Sequence, residues 1–326
     1  MKRKRIIFLF LIIVIGIVII AEHRRLYQGE YGADFNDRII YRNKEYRYDD
    51  SVLTYLVMGI DKGREKYEGQ YPEEVGQTMS DGQADAVFLC VLHGRSKEIS
   101  IVSLNRNTMT DIAIYNEEGI FLVMEQAQLA IQHGFGGNEE ESCELQAHAV
   151  QSLIKGIPIH GYLSADMTVI EQLNRAVGGV DVTVLENMEE IDPQFIEGNT
   201  VHLQDDQAFW YVKYRDTGSY ASADRRLERQ KQFLVDFADK AMRKTKEDIR
   251  FPYRLYMDCK EHMQTNLSID KLMLLVWKAR QYEINPAHFY SLPGETRMGT
   301  EYEEFYVDEE QFMELILELF YEEKKE

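Results

Sequence analysis

The chain of 326 residues (38.2 kDa, 44% hydrophobic, 11% aromatic) is long enough for one large or two modest domains with a real core, which excludes a disordered chain. A formal charge of −19 and a pI near 4.9 exclude nucleic acid as the main partner, because phosphate binding over a broad face needs a positive field. Cys90, Cys143 and Cys259 lie far apart without a C-x-x-C pair, so neither a zinc site nor a full disulfide framework is signalled.

The chain opens with "MKRKR" and then "IIFLFLIIVIGIVIIA", an uncharged apolar run over 6–21. A membrane-spanning helix wants about 20 residues, and Glu22 and His23 can snorkel to extend this one. Four cations ahead of it favour a cytoplasmic N-terminus. These features predict a basic tail over 1–5, an uncleaved transmembrane signal anchor over 6–22 and everything beyond it outside the cell. A cleaved signal peptide is the alternative, although "VIIAEHRR" lacks a small-x-small cleavage site. Residues 23–50, polar and mixed in charge, are predicted to be an extracellular stalk. That leaves 51–326 as one domain with no Pro- or Ser-rich linker.

Within that domain, "SVLTYLVMGID" carries a strand-forming apolar run over 55–60 that stops at Asp61. A second buried strand, "DAVFLCVL", opens at Asp85, and a third, "ISIVSLNRNT", ends at Arg106. Helical patterns follow around 142–155 and 164–177, and "VGGVDVTVLE" reads as a turn into another strand. "QAFWYVKYR" alternates, which predicts a strand with Lys213 and Arg215 projecting to one side. From Asp224 the period turns helical. Leu227, Leu234, Ala238 and Ala241 make one stripe, and Arg226, Gln230, Phe233 and Phe237 make the one beside it. Two more helices start after Ser268 and Asp308 as N-caps. Strands interleaved with helices predict an α/β domain whose central mixed sheet is covered by helices on both faces.

Between Lys213 and Lys231 the chain gathers six Lys or Arg against three acids. Arg226 and Gln230 lie one turn apart just inside a predicted helix start, where the dipole disfavours cations. A bound anion at that helix end, held by backbone N–H groups and guanidinium forks, would make sense of them. Lys213 and Arg215 could reach the same anion, and Arg106 could close its other side. The competing reading pairs these cations with Asp216, Asp224 and Glu228, above all Arg225 and Arg229. If the strands ending at Asp61 and opening at Asp85 are neighbours, the two carboxylates share one end of the sheet. They then either hold Mg²⁺ or cap turns.

The order of motifs resembles the LytR-CpsA-Psr family of envelope proteins. "YLVMGID", "GQADAVFLCVL", "ISIVSLNRNTMTDI", "LNRAVGGVDVTV", "QDDQAFWYVKYRD" and "RRLERQKQFL" stand in that family's order, with counterparts also for "TNLSIDKLMLL" and "YSLPGE". The resemblance implies an α-β-α sandwich that takes a polyprenyl-pyrophosphate-linked glycan, tail in a hydrophobic tunnel, and transfers the glycan as its phosphate to cell-wall peptidoglycan. By that resemblance Asp61 and Asp85 would hold Mg²⁺ or Mn²⁺. Arg106, Lys213, Arg215, Arg226 and Gln230 would grip the phosphates, Arg106 and Asp85 would serve catalysis, and Phe233 and Phe237 are candidates for the tunnel. The sequence departs from the family pattern at Gln83, Ala84, Asn107 and Lys213, and Ala223 stands where an acid is expected unless Asp224 supplies it. Lys213 keeps charge but loses the bidentate fork of an arginine. Two functions therefore stand: a membrane-anchored phosphotransferase, or a non-catalytic relative that binds the lipid or scaffolds envelope assembly. Transcriptional regulation is disfavoured, since no basic recognition helix is present.

Overall fold

The computed structural model describes residues 32–324 except 33, 62–81, 117, 168, 215–221 and 301. The first elements are β1 (Arg38–Tyr41) and β2 (Lys44–Tyr48), joined through Arg42 and Asn43. Both joining residues have positive φ (47° and 64°), the twist a two-residue hairpin requires. Then come β3 (Val52–Asp61), β4 (Gln83–His93), β5 (Glu98–Leu104), a hairpin of β6 (Met109–Tyr115) and β7 (Phe121–Gln128), and a 3-10 helix (Leu129–Phe135). The middle of the chain forms α1 (Glu139–Leu153), β8 (Gly161–Asp166), α2 (Val169–Val177), β9 (Asp181–Thr183), β10 (Thr200–His202) and α3 (Gln207–Lys213). The last part forms α4 (Ser222–Glu247), α5 (Phe251–Cys259), β11 (Met263–Thr265), α6 (Ile269–Ala279) and β12 (Glu283–Ser291). It ends with β13 (Gly294–Met298), β14 (Glu303–Val307), α7 (Glu309–Phe320) and β15 (Tyr321–Glu323).

The main sheet has six strands in the order β11-β8-β3-β4-β5-β12. It is mixed: β8/β3 and β5/β12 run parallel, while β11/β8, β3/β4 and β4/β5 run antiparallel. The central strands read as near-continuous apolar runs because both faces are covered. One face sends Leu56, Val87, Leu89 and Val102 into a core shared with Val150, Phe312, Ile316 and Phe320 of α1 and α7. The other sends Tyr55, Phe88, Ile99 and Ile101 against Leu227 and Leu234 of α4 and Leu275 of α6. This is the predicted α/β architecture with helices on both faces. Asp308 caps α7 by accepting from the amides of Glu310 and Gln311, and Ser268 caps α6 by accepting from Lys271.

Three expectations need correction. Residues 38–48 of the expected stalk form the β1–β2 hairpin, and β15 pairs antiparallel with β2, so this stretch is part of the folded domain. The helical pattern over 164–177 divides into the end of β8 and the helix α2. Residues 207–213 are helix, not strand. Ala208, Phe209, Tyr211 and Val212 are all buried in one cluster with Phe195 and Phe233, and consecutive residues on a strand would have pointed to opposite faces. The expected anchor over 6–22 lies outside the described residues. Among the described residues no helix is long and apolar enough to cross a membrane.

Candidate functional site

The site is built at the end of the sheet where β3 stops and β4 starts. Asp61, the last residue of β3, is opposite Gln83 on β4. Between Gly59↔Ala86 and Ile60↔Ala84 the register slips, leaving Asp85 as the extra residue of a β-bulge. The slip shows in the packing: Ala84 lies in the core beneath α1 and α7, whereas Ala86 faces the opposite side. A bulge kinks the strand and re-aims a side chain, and here that residue is a carboxylate. Just upstream, Gly82 has φ of 80°, and a Cβ there would lie 2.5 Å from the Asp61 carbonyl oxygen, so only glycine fits the approach. A ring nitrogen of His133 (Nδ1) lies 3.1 Å from the Gly82 carbonyl oxygen and steadies the same turn.

Arg106 follows β5 in a tight turn. The Asn107 amide donates to Asn105 Oδ1 (2.9 Å), Thr108 Oγ1 donates to the Asn105 carbonyl (2.6 Å), and the Ala130 amide donates to the Arg106 carbonyl (3.0 Å). With its backbone so held, Arg106 places Nη1 2.9 Å from Asp85 Oδ1 and donates through Nη2 to Gln83. Arg226, 6% exposed in the first turns of α4, reaches the other oxygen of the same carboxylate at 3.1 Å. Asp85 is thus held between two guanidinium groups. One strand over, Lys213 Nζ lies 3.2 Å from Asp61 Oδ2 and 5.2 Å from the centre of the Phe209 ring. In these pairs three buried or nearly buried cations, Arg106, Arg226 and Lys213, meet the carboxylates of Asp85 and Asp61 at one end of the sheet.

The next turn of α4 has a different task. Arg229 is 1% exposed; its Nε donates to the Tyr211 carbonyl (2.8 Å), and its other nitrogens donate to the Tyr214 carbonyl and to Glu186. Gln230 Nε2 donates to the Val212 carbonyl (3.2 Å). Together they satisfy carbonyls that the C-terminus of α3 leaves without helical partners, and so fasten α3 to α4. Burial lowers the Arg229 pKa to about 10, so it remains cationic at neutral pH. The expected pairing of Arg229 with Asp216, Asp224 or Glu228 is therefore corrected. Glu186 supplies the carboxylate, and it also holds Arg225 Nε at 2.8 Å. Glu186 lies after β9 in an irregular segment, where no periodicity could have pointed to it. Arg226 is likewise not an unpaired cation, and Gln230 is held by backbone. Arg215 lies outside the described residues.

Directly beside these side chains opens an apolar cavity of about 310 Å³. Gly59 and Ala86 of the sheet, Val212 next to Lys213, and Gln230 one turn from Arg226 line its near end; Phe233 and Phe237, the two tunnel candidates, continue along it. Their rings stack with centroids 6.2 Å apart. Leu255 and Tyr256 of α5 and Leu272 and Val276 of α6 complete the far wall. The site therefore joins a cationic head region to an apolar channel.

Asp61 and Asp85 offer hard oxygen donors on adjacent strands, a set suited to Mg²⁺ or Mn²⁺. Among the described residues no group of three His, Cys, Asp or Glu could hold a metal.

Known proteins share this fold. A Streptococcus agalactiae protein of solved structure superposes with a TM-score of 0.63 at 20% identity over 82% of this chain and 86% of that one. The crystal structure of Bacillus subtilis TagV gives 0.59 at 20% identity over 82% and 96%. A structure of TagT bound to LI-WTA gives 0.57 at 18% identity over 88% and 96%. In sequence the chain is 25% identical, over 68% of its length, to the polyisoprenyl-teichoic acid–peptidoglycan teichoic acid transferase TagU of Enterococcus faecalis. That match spans 63% of the relative, and a match to TagU of Bacillus cereus at 24% identity spans 56% of this chain and 50% of that one. The LytR_cpsA_psr family profile matches residues 27–320, and with the ordered motifs, the six-stranded sheet and the apolar cavity beside the cations in place, the chain belongs to the LytR-CpsA-Psr family.

Proposed function

We propose that the protein is a membrane-anchored, extracellular transferase that moves a glycopolymer from a polyprenyl-pyrophosphate carrier to peptidoglycan. The observation that carries this reading is the junction of Arg106, Arg226 and Lys213 with an apolar cavity, since a lipid pyrophosphate has both a doubly charged head and a long apolar tail. Relatives named as teichoic acid–peptidoglycan transferases support the same reaction class.

In the reaction, an acceptor hydroxyl on peptidoglycan attacks the glycan-linked phosphorus. The bond to the bridging oxygen breaks, and polyprenyl phosphate leaves with that oxygen and its electron pair; the hydroxyl proton is released. Negative charge grows on the leaving phosphate. Arg106 and Arg226 would exchange the Asp85 carboxylate for phosphate oxygens there, and their fixed backbones make this stabilisation preorganised. Lys213 would take the neighbouring phosphate as a point charge. Asp61 and Asp85, relieved of these cations, would hold a bound Mg²⁺ or Mn²⁺, whose chemistry is to neutralise phosphate charge. Arg215 is proposed as a further phosphate contact from the adjoining segment.

Arg226→Ala should lower transfer from a polyprenyl-pyrophosphate glycan to peptidoglycan by on the order of 10²-fold or more, since it removes a nearly buried charge partner. Turnover unchanged in that variant would sink the reading. The engagement of Arg106 by Gln83 as well as Asp85 favours a second reading, a lipid-binding protein without transfer. Tight donor binding by the wild-type chain with no glycan transferred would establish it.

A further inference from the structure

The far wall of the cavity is unusual on its outer side. The sequence of α6 is apolar almost all round, with Leu272, Met273, Leu274, Leu275, Val276 and Trp277 in succession, yet none of its residues is buried and Trp277 is 51% exposed. An all-apolar helix normally lies inside a protein or in lipid. Its neighbour α5 turns Leu255 and Tyr256 to the cavity and leaves Tyr253 and Met257, one turn apart, exposed, with Ile249 exposed just ahead of them. Charge gathers on the same stretch. In a chain of net charge −19, residues 240–280 hold ten Lys or Arg against five acids, and Arg243, Lys246, Arg250 and Arg254 flank Ile249 and Tyr253 at the surface. Arg254 pairs with Asp248 at 2.8 Å and Arg243 with Asp239, and the acids Asp258 and Glu261 stand at the far end of α5.

We propose that the outer face of α5 and α6 docks on an anionic lipid bilayer. Exposed aromatic and aliphatic side chains ringed by Lys and Arg are the chemistry of an interfacial helix, which sinks its apolar side into the headgroup boundary and draws on anionic lipid through its cations. The chain length agrees: the apolar run ends at residue 21 and the described structure begins at residue 32, a tether of about 40 Å at full extension. Docking would turn the wall of the cavity into a wall against lipid, so that a prenyl chain passes from bilayer to cavity without crossing water. This last consequence rests on the proposed lipid-linked donor; the docking itself does not.

The test uses the full chain reconstituted in vesicles containing brominated phosphatidylglycerol, with Trp277→Phe subtracted to isolate the Trp277 fluorescence. Trp277 should be quenched in those vesicles and much less in brominated phosphatidylcholine vesicles. Lys246→Gln with Arg250→Gln should weaken docking roughly 30-fold, at about 1 kcal/mol per cation. The same pair should slow transfer from a long-chain donor in vesicles while sparing a short-chain, water-soluble donor. Absence of Trp277 quenching, or quenching indifferent to lipid charge, would overturn the proposal, as would a lipid-independent dimer joined through Trp277. Quenching together with no transfer from either donor would uphold the docking and defeat the transferase reading.

Discussion

The two faces of the central sheet are built to opposite specifications. Beneath α1 and α7 the side chains are dry and interlocked, with Leu56 and Val150 fully buried and Phe320 1% exposed. On the other face α4, α5 and α6 stand over a cavity of about 310 Å³, and no residue of α6 is fully buried. An unfilled apolar void is unfavourable by about 24 cal/mol per Å³ when nothing relaxes into it. A chain carries such a void only if another part of the fold supplies the stability. The difference teaches that one face holds the sheet together so that the other can remain open.

The widest gap between the faces should appear on truncation. Phe320→Ala should destabilise the domain by about 3–5 kcal/mol, as for a large aromatic in a packed core. Leu272→Ala, on the wall of an existing void, should remove less than about 1 kcal/mol because it creates little new cavity. Urea unfolding of both variants checks this, and equal losses would erase the contrast. Arg229 is the exception that sharpens it, because it is a packed residue on the open side. Arg229→Ala leaves two carbonyls without their donor and Glu186 with Arg225 alone, and should lower stability by about 3 kcal/mol; Arg229→Lys should rescue only part. Thermal melts that place Arg229→Ala beside wild type would mean α3 and α4 are held by something else.

A smaller effect comes from a histidine beside β3. His160 Nδ1 accepts from the Thr54 amide at 3.0 Å, and burial lowers its pKa to about 4. A histidine depressed in the folded state contributes stability that is present above the unfolded pKa of about 6.5 and is lost as pH falls through the folded value. Stability should therefore drop by up to about 3 kcal/mol between pH 6.5 and 4 from this group. His160→Gln should flatten that part of the stability–pH curve, and an unchanged slope would clear His160 of the role.

Much of this was readable in the residues. The strands β3, β4 and β5 are announced by long apolar runs, and α7 by its helical spacing behind Asp308. Asp61, Asp85, Arg106, Lys213 and Arg226 were each legible as chemistry, and the fold brings them together in pairs. What failed had physical causes. In "QAFWYVK" aromatic and β-branched residues favour a strand, but a cluster around Phe195 buries several neighbours at once and selects helix. The bulge at Asp85 follows from pairing with β3, and pairing register is written in two distant segments at once. Arg226 and Arg229, one turn apart in a basic helix, differ only in what tertiary contacts meet them. The hairpin at 38–48 is short and carries mixed polar and apolar residues outward, Ile40 among them, so its alternation resembled that of a linker.

The pairing of β15 with β2 has a consequence for how the chain comes to be folded. Tyr321 stands opposite Tyr48, and its hydroxyl donates to the Asn36 carbonyl at 2.6 Å, so nearly the first and nearly the last described residues meet. Such a contact closes the longest loop the chain can make and is slow to form. Hydrogen exchange in 38–48 should therefore accelerate in a chain that stops at residue 320, and equal protection would show the closure to be dispensable. A polypeptide emerging N-terminus first carries the β1–β2 hairpin without this third strand until residues 321–323 have been made. β2 and β15 then lock each other, and damage to one is felt as fraying of the other.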